Sequence, residues 1–431
     1  MGKLLKFKLK FLAKLILKKY HPKIIGVTGT IGKTSTKEAV YAVLNSKFNV
    51  RTNIKNYNNE FGLPLTIIGS KSPGRNIFGW AFVFLKAVLM LVFKNKNYPQ
   101  ILILEMGIDH PGDMDYLLKI IKPYIGVFTA IGPTHLEHFK NLNELIKEKS
   151  KLIQNVEEGG WSILNIDDER VSKVSKKIKS QFLTYGFNKQ ADIQADYVRF
   201  SYKEDKEDAN SLQGLSFKVN YQGATVPVLL PYSLGIGQIY ASLVAIAIGS
   251  IYGMNLIDIT QALKKFKPAK GRMNLIKGIK YSIIIDDTYN SAPGSVLAAL
   301  EVLNKIPLDK QYNRYAILGD MLELGSMSVS SHEEVGRKVA ELKIDYLIVI
   351  GERARDIARV AEKSGMDKDH IFNFDNSDDA KKFIEDRIAK GDLILIKGSQ
   401  GMRMEKITKE IMAEPSKAGK LLIRQGREWL S

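Results

Sequence analysis

Short runs of consecutive apolar residues recur along the chain at 24–27, 101–104, 125–128, 162–164, 282–285, 315–318, 346–350 and 393–396, separated by stretches of helical periodicity. Unbroken rather than alternating apolar runs suit parallel strands buried on both faces, and the helical spacers suit an α/β sheet. Residues 191–230 differ: segments such as LSFKVNY and ATVPVLL alternate, which predicts a small antiparallel patch inserted in the first α/β unit. A break at KPAKGR, residues 267–272, divides the chain into a body over 23–270 and a smaller α/β domain over 271–431, with residues 1–22 standing apart in front.

Those first residues form a basic amphipathic helix. Lys3, Lys6, Lys10, Lys14 and Lys18 share one side at 100° per residue, while Leu4, Leu5, Leu9, Phe11, Leu12, Leu15 and Ile16 cover most of the other. The lysines interrupt every stretch that could serve as a secretory signal core. Two roles remain open, an interfacial anchor on anionic lipid through residues 1–20 and a helix packed on the body of the protein. A second apolar run, IFGWAFVFLKAVLMLVF at 77–93, is at the short limit for a membrane span and carries Lys86 in its middle. It is expected to be a buried or membrane-grazing helix.

Composition narrows the chemistry. The chain has 431 residues and no cysteine, so disulfides, thiolate metal sites and cysteine nucleophiles are excluded, leaving carboxylates, six histidines, lysines and hydroxyls. Its formal charge of +18 suits phosphate-rich ligands, nucleic acid or anionic membrane. Eight lysines and no acid lie in residues 1–23, so much of the excess sits at one end. No interleaving of aromatic and basic residues supports nucleic-acid binding.

The most informative stretch is IIGVTGTIGKTSTKEAV, a short apolar strand that runs into TGTIGKTS and then a helix. Strand, glycine loop, lysine, hydroxyl, helix is the order a triphosphate-binding loop requires. Gly29, Thr30 and Gly32 turn backbone N–H groups toward phosphate oxygens, Lys33 adds a point charge, and Thr34, followed by Ser35, offers a hydroxyl to Mg²⁺. The general spacing wants a glycine at Val27, and the nearest one is Gly26.

This loop resembles the ATP loop of the Mur ligases, the amide-forming enzymes of peptidoglycan synthesis. NYNNEFGLPLTI, LEMGIDHPGDM, IGPTHLEHF, ILNIDDERV, IIDDTYNSAPGSVLAAL, AILGDMLELGSMS and IKGSQGMRME follow in order and resemble the branch that adds D-alanyl-D-alanine. The match spans residues 24–410. It implies a P-loop central ATPase domain followed by a Rossmann-like C-terminal domain, and a ligase that uses ATP and two Mg²⁺ ions. A substrate carboxylate would become an acyl phosphate, which an amine then attacks.

The resemblance also assigns residues. Glu105, at the end of an apolar strand, would bind Mg²⁺ with Thr34. His135 would help bind a second ion. Lys149, fourteen positions on, would carry CO₂ as a carbamate that bridges the metals, turning a repelling ammonium into an anionic ligand. Lys33, Lys149 and His135 are thus the catalytic candidates. Arg272 and Asp286 would reach the nucleotide from the second domain, with Asn290 shaping the loop. Asn58, Asn59, Lys397 and Ser399 are candidate substrate contacts. His332 matches a family position without an independent physical role.

Two departures stand out. Where the family shows His-Asn near the adenine, this chain has Gly237, Gln238 and Ala241, leaving Gln238 as the candidate purine contact. Family members also begin with a domain that binds the UDP end of the acceptor, whereas here the phosphate loop starts near residue 26. A shortened, different or lipid-borne acceptor is therefore expected. The protein is expected to be a cytoplasmic monomer acting on small-molecule carboxylate and amine substrates without nucleic acid, and to lie on the inner membrane face if its basic helix binds lipid. Two alternatives are a related poly-amino-acid or other amide ligase, and a non-catalytic nucleotide-binding protein at the membrane.

Overall fold

The structure is a computed structural model that describes residues 2–53, 57–132, 138–203, 209–426 and 429. It divides into two compact units, one comprising Met1–Val198, Phe217–Leu229 and Ile236–Phe266, the other Arg199–Ser216, Leu230–Gly235 and Lys267–Ser431.

The first unit holds β1 to β6 and parts of β7, β8 and β9 of a nine-stranded sheet in the order β2-β3-β1-β4-β5-β6-β7-β8-β9, the rest of those last three strands being counted in the second unit. The strands of this sheet are β1 (Lys23–Thr28), β2 (Val50–Thr52), β3 (Ile101–Glu105), β4 (Ile125–Phe128), β5 (Trp161–Asn165), β6 (Gln181–Gly186), β7 (Ile193–Tyr202), β8 (Leu212–Tyr221) and β9 (Ala224–Pro231). β1 through β7 pair in parallel. β3 is buried at all five positions and β4 at all four, so a continuous apolar run is what each must have. Gln222 and Gly223 both take positive φ, the two-residue turn that folds β8 back on β9, and the expected antiparallel patch lies here.

β1 lies between β3 and β4, so the chain departs in opposite directions from its two neighbours. That is the switch point at which an open α/β sheet leaves a crevice beyond its strand ends. Helix α1 (Gly2–Tyr20) and helices α2 (Lys33–Leu44), α3 (Gly62–Ile68) and α4 (Ile77–Val92) complete the front of this unit.

Of the two roles open to the first helix, packing on the body is what its apolar side shows. Leu9, Ala13 and Ile16 are fully buried in one cluster with Leu63 and Ile67 of α3 and Val83, Ala87 and Met90 of α4. In α4 only those three residues are buried, so the run at 77–93 is not a core helix, and no helix among the described residues is long and apolar enough to cross a membrane.

The second unit carries a six-stranded sheet in the order β10-β11-β15-β12-β13-β14, formed by β10 (Asn274–Lys277), β11 (Ile283–Asp287), β12 (Arg314–Gly319), β13 (Tyr346–Ile350), β14 (Ile371–Phe374) and β15 (Leu393–Lys397). Only the pair β10–β11 is antiparallel. Apolar clusters cover both faces of this sheet, one containing Ile285, Leu318 and Leu395 and the other Ile284, Ile317 and Ile396. Alternate residues of one strand thus enter opposite cores, as the pleat requires.

Candidate active site

The loop between β1 and α2 is held by the exit of β4. Thr30 N–H donates to Ala130 O at 2.7 Å, and Thr129 Oγ1 donates to Ile31 O at 2.6 Å. Gly29 has φ 142°, and a Cβ there would lie 2.0 Å from Thr129 Oγ1, so only glycine permits the loop to press against β4. Gly26 is glycine for a different reason: within β1, a Cβ would meet Leu152 Cδ1 at 2.8 Å. Packing rather than phosphate contact accounts for its place in the sequence.

Lys33 Nζ donates to Gly29 O at 3.0 Å and Thr30 O at 3.2 Å, which holds the ammonium at the loop. Thr34 Oγ1 donates to Glu105 Oε2 at 3.0 Å. The register Val27↔Glu105 between β1 and β3 brings this carboxylate level with the start of the loop. Asn53 clamps the Glu105 main chain from β2's side, accepting its N–H at 3.0 Å and donating to its carbonyl oxygen. Ser35 is buried one residue further along α2.

Lys37, one turn on, carries no motif signal in the sequence. Its side chain is nonetheless buried, with Nζ donating to Asn53 O at 2.9 Å and 4.0 Å from Glu105 Oε2. Burial and helical position, not residue type, would have found it.

Lys149 lies on α6 (Leu142–Gln154; α5 is Asp113–Leu118) and is 1% exposed. Burial, then the charge of Lys33, pushes its ammonium down to about 7, while Asp109 and Glu148 oppose the fall. A lysine that loses its proton near neutrality is nucleophilic enough to take up CO₂. The contribution of Lys33 comes from the lysine of the phosphate loop itself. Its neighbours Lys147 and Lys151 differ: Lys151 pairs with Asp115 and Glu148 at 2.6 Å each. His135 lies outside the described residues. His138 stacks on His110 with ring centroids 4.3 Å apart.

Beside the loop a cavity of about 340 Å³ is walled by Gly32, Thr36, Asn165, Asp167, Gly237 and Tyr240. Tyr240 Oη donates to Asp167 Oδ2 at 2.8 Å, and Asp167 also accepts Phe187 N–H and Asn188 N–H, so the wall is braced. Gln238 is absent from this wall. At 100° per residue along helix Ile236–Ile251, residues 237 and 240 share a side and 238 does not. Its side chain is buried, with Oε1 unpartnered among the described residues.

Asn58 and Asn59 precede α3. Asn59 Oδ1 accepts Phe61 N–H and Gly62 N–H, a turn that starts the helix, while Asn58 O accepts Gly107 N–H just beyond Glu105. Asn58 is therefore the one placed near the metal-side carboxylate.

In the second unit Asp286 is fully buried, with Oδ1 accepting from Thr288 at 2.7 Å and Thr408 at 3.3 Å. Burial and the neighbouring Asp287 push its carboxyl up to about 7, although both hydroxyls oppose the rise. The next residue, Asp287, pairs with Lys397 Nζ at 2.5 Å, and Lys397 also donates to Asn290 O at 3.0 Å. Lys397 thus ties the ends of two parallel strands to the 287–290 turn. Ser399 Oγ accepts Leu322 N–H at 2.8 Å, and the Arg272 guanidinium lies 4.1 Å from the centre of the Tyr289 ring. His332 gains a role that the sequence lacked: Nε2 accepts Met321 N–H at 3.0 Å and Nδ1 faces Ser328 O at 2.7 Å, so the ring bridges a loop and a helix.

Comparison with known proteins places these features in a family context. The family profile described as Mur ligase middle domain matches residues 27–74 and 86–248, and that described as Mur ligase, glutamate ligase domain matches 271–400. The chain is 30% identical over 404 residues to the UDP-N-acetylmuramoyl-tripeptide--D-alanyl-D-alanine ligase of Bacillus subtilis (strain 168), covering 94% of this chain and 79% of that protein. Among solved structures it is similar to the MurF ligase from Thermotoga maritima in complex with ADP, at 25% identity and TM-score 0.73, covering 96% of this chain and 84% of that one. MurF from Acinetobacter baumannii has the same fold, with TM-score 0.74 at 24% identity, over 94% of this chain and 79% of that one.

Proposed function

The chain belongs to the Mur ligase family of ATP-dependent ligases, and from that premise we propose that it joins a peptide carboxylate to D-alanyl-D-alanine through an acyl phosphate, in the synthesis of cell-wall precursors. The observation that carries this reading is the meeting of Lys33, Thr34 and Glu105 at one phosphate loop, supported by a buried Lys149 on which the charge of Lys33 acts. Binding of a nucleotide alone would not call for a buried lysine poised to lose its proton.

The residues present fit the groups the family uses. The glycine loop and Lys33 suit the phosphates of ATP, and the paired Thr34 hydroxyl and Glu105 carboxylate are hard oxygen donors suited to Mg²⁺. Lys149 as a carbamate, with His135, would complete a second cation site. Bound Mg²⁺ would offset charge on the transferred phosphoryl group.

The protein's own contribution is positional. Lys33 sets a positive charge where phosphoryl oxygens gather negative charge. Asn53 fixes the main chain of Glu105, and Lys37 faces its carboxylate from behind. The Tyr240–Asp167 wall receives the base and ribose end of ATP. Asn58 is assigned to the acceptor, Lys397 and Ser399 to the amine, and Arg272 and Asn290 to the nucleotide, with Asp286, fully buried, acting through the turn that Thr288 joins. Dependence on ATP argues for a cytoplasmic enzyme.

An amine-dependent phosphate-release assay tests the proposal, with ATP, Mg²⁺, several peptide carboxylates including the UDP-N-acetylmuramoyl-tripeptide, and D-alanyl-D-alanine among the amines. Release that requires both carboxylate and D-alanyl-D-alanine, and that is lost in Lys33→Ala, is expected. Release indifferent to the amine, or seen only with another amine, would overturn the assignment.

A further inference from the structure

We propose that the outer face of α4, flanked by lysines, docks this protein on an anionic lipid bilayer, lying in the interface rather than crossing it. The face is a stripe of Phe78, Phe82, Leu85, Val88, Leu89 and Val92 at helical spacing, with Phe78 88% and Phe82 67% exposed. It contains no polar side chain. The only charge in the helix, Lys86, turns back to donate to Gly69 O at 2.5 Å. Sixteen residues make a helix about 24 Å long. That is short for a span, and the opposite side holds Val83, Ala87 and Met90 in the protein core. A helix half buried in protein and half apolar outward can only lie along a surface.

Charge decides between a bilayer and a second copy of the chain. Lys71 and Arg75 precede the helix, Lys94 and Lys96 follow it, and all four are exposed. No acidic residue occurs between Phe61 and Leu104, nor before Glu38. Helix α1 packs alongside, adding exposed Lys8, Lys14 and Lys18 with Leu4, Phe7 and Phe11. Two such surfaces brought together would oppose like charges around an apolar centre, whereas an anionic headgroup layer complements the rim while acyl chains receive the stripe.

The end of α4 is also prepared for a water-poor setting. Lys19 Nζ donates to Leu91 O at 2.7 Å, and Tyr20 Oη donates to Met90 O at 2.9 Å. Two carbonyls that the helix leaves unpaired are thereby satisfied from α1. The lipid contact thus moves from the first helix, whose apolar side is largely spent on packing, to α4, with α1 as its basic support.

Flotation of the full chain with phosphatidylcholine vesicles, with and without about 30% phosphatidylglycerol, tests this. Binding to the anionic vesicles alone is expected. Phe78→Glu/Phe82→Glu/Val92→Glu should cut it by about tenfold or more, and neutralising Lys8, Lys14, Lys94 and Lys96 by roughly fivefold per lysine. Retention of the ATP-induced thermal shift would show that these exposed substitutions leave the fold intact. Because the chain has no cysteine, Val88→Cys carrying an environment-sensitive dye gives a second readout: a blue shift on vesicles that a dye at Ser364→Cys does not share. No binding to anionic vesicles, binding unaffected by the acidic substitutions, or a dimer in light scattering that those substitutions dissolve without any lipid binding would each overturn the proposal. Lipid binding is read whether or not the ligase reaction has been reconstituted.

Discussion

Lys149→Met removes a buried amine and leaves an unbranched side chain of similar length. The native lysine titrates near 7, against 10.5 when solvated, because burial and Lys33 both disfavour its charge. Below pH 7 both folded and unfolded chains carry the proton and the folding penalty is constant. As pH rises from 7 toward 10.5 the unfolded chain still binds the proton and the folded one does not, so the penalty fades. At 1.36 kcal/mol per pH unit the whole window is worth about 5 kcal/mol, of which about 2 kcal/mol falls between pH 7 and 9. Urea unfolding of wild type and Lys149→Met at both pH values, in buffers free of CO₂, reads this as a double difference in which other groups cancel. Wild type should gain about 2 kcal/mol relative to the variant on going from pH 7 to 9. Parallel curves, or a relative loss, would refute the claim that burial and the charge of Lys33 outweigh the anions Asp109 and Glu148 at this amine. Added bicarbonate should then stabilise wild type alone, since the variant has no amine to carbamylate.

Asp286→Asn carries the opposite sign: the native carboxyl is raised from 3.8 to about 7, so its stability is full below 3.8 and is lost as pH climbs to 7. Melting of the second unit in the variant should lack that decline, worth up to about 4 kcal/mol, across pH 4–7. Gly29→Ala should weaken ATP binding by about tenfold or more in calorimetry, since its Cβ would drive the loop away from Thr129. Glu105→Gln keeps the hydrogen-bond shape but removes the charge, and should lower Mg²⁺-dependent turnover by about a hundredfold and raise the Mg²⁺ needed for half-saturation. His332→Leu should cost about 2–3 kcal/mol of stability by stranding Met321 N–H, with no change in the Mg²⁺ requirement.

The parallel-strand architecture and the phosphate loop were legible in the sequence because both rest on local chemistry. A strand buried on both faces must be continuously apolar, and a loop that wraps phosphate must place glycine, lysine and hydroxyl at fixed offsets. β2, β6, β10 and β14 escaped notice, being partly exposed and, β6 apart, only three or four residues long, so that neither periodicity nor composition marks them. The roles of Lys37, Tyr240 and His332 were likewise silent, because each depends on a partner 11 or more residues away, or on which side of a helix faces a cavity. The same holds for Gln238, which has a suitable side chain on the wrong side of its helix.

The amino-acid order by itself determined where a triphosphate could be gripped and that the chain folds as α/β sheets of mostly parallel strands. Only tertiary structure decided which apolar residues are spent on packing. It buried Leu9, Ala13 and Ile16 of the lysine-rich first helix and left the stripe from Phe78 to Val92 facing outward, although the second segment is the more apolar on paper. It also buried Lys149 while leaving Lys151 paired at the surface. Burial is a property of how elements meet, and it sets both the proton affinity of a lysine and the fate of a leucine. A linear pattern records which faces can be buried, and the fold chooses among them.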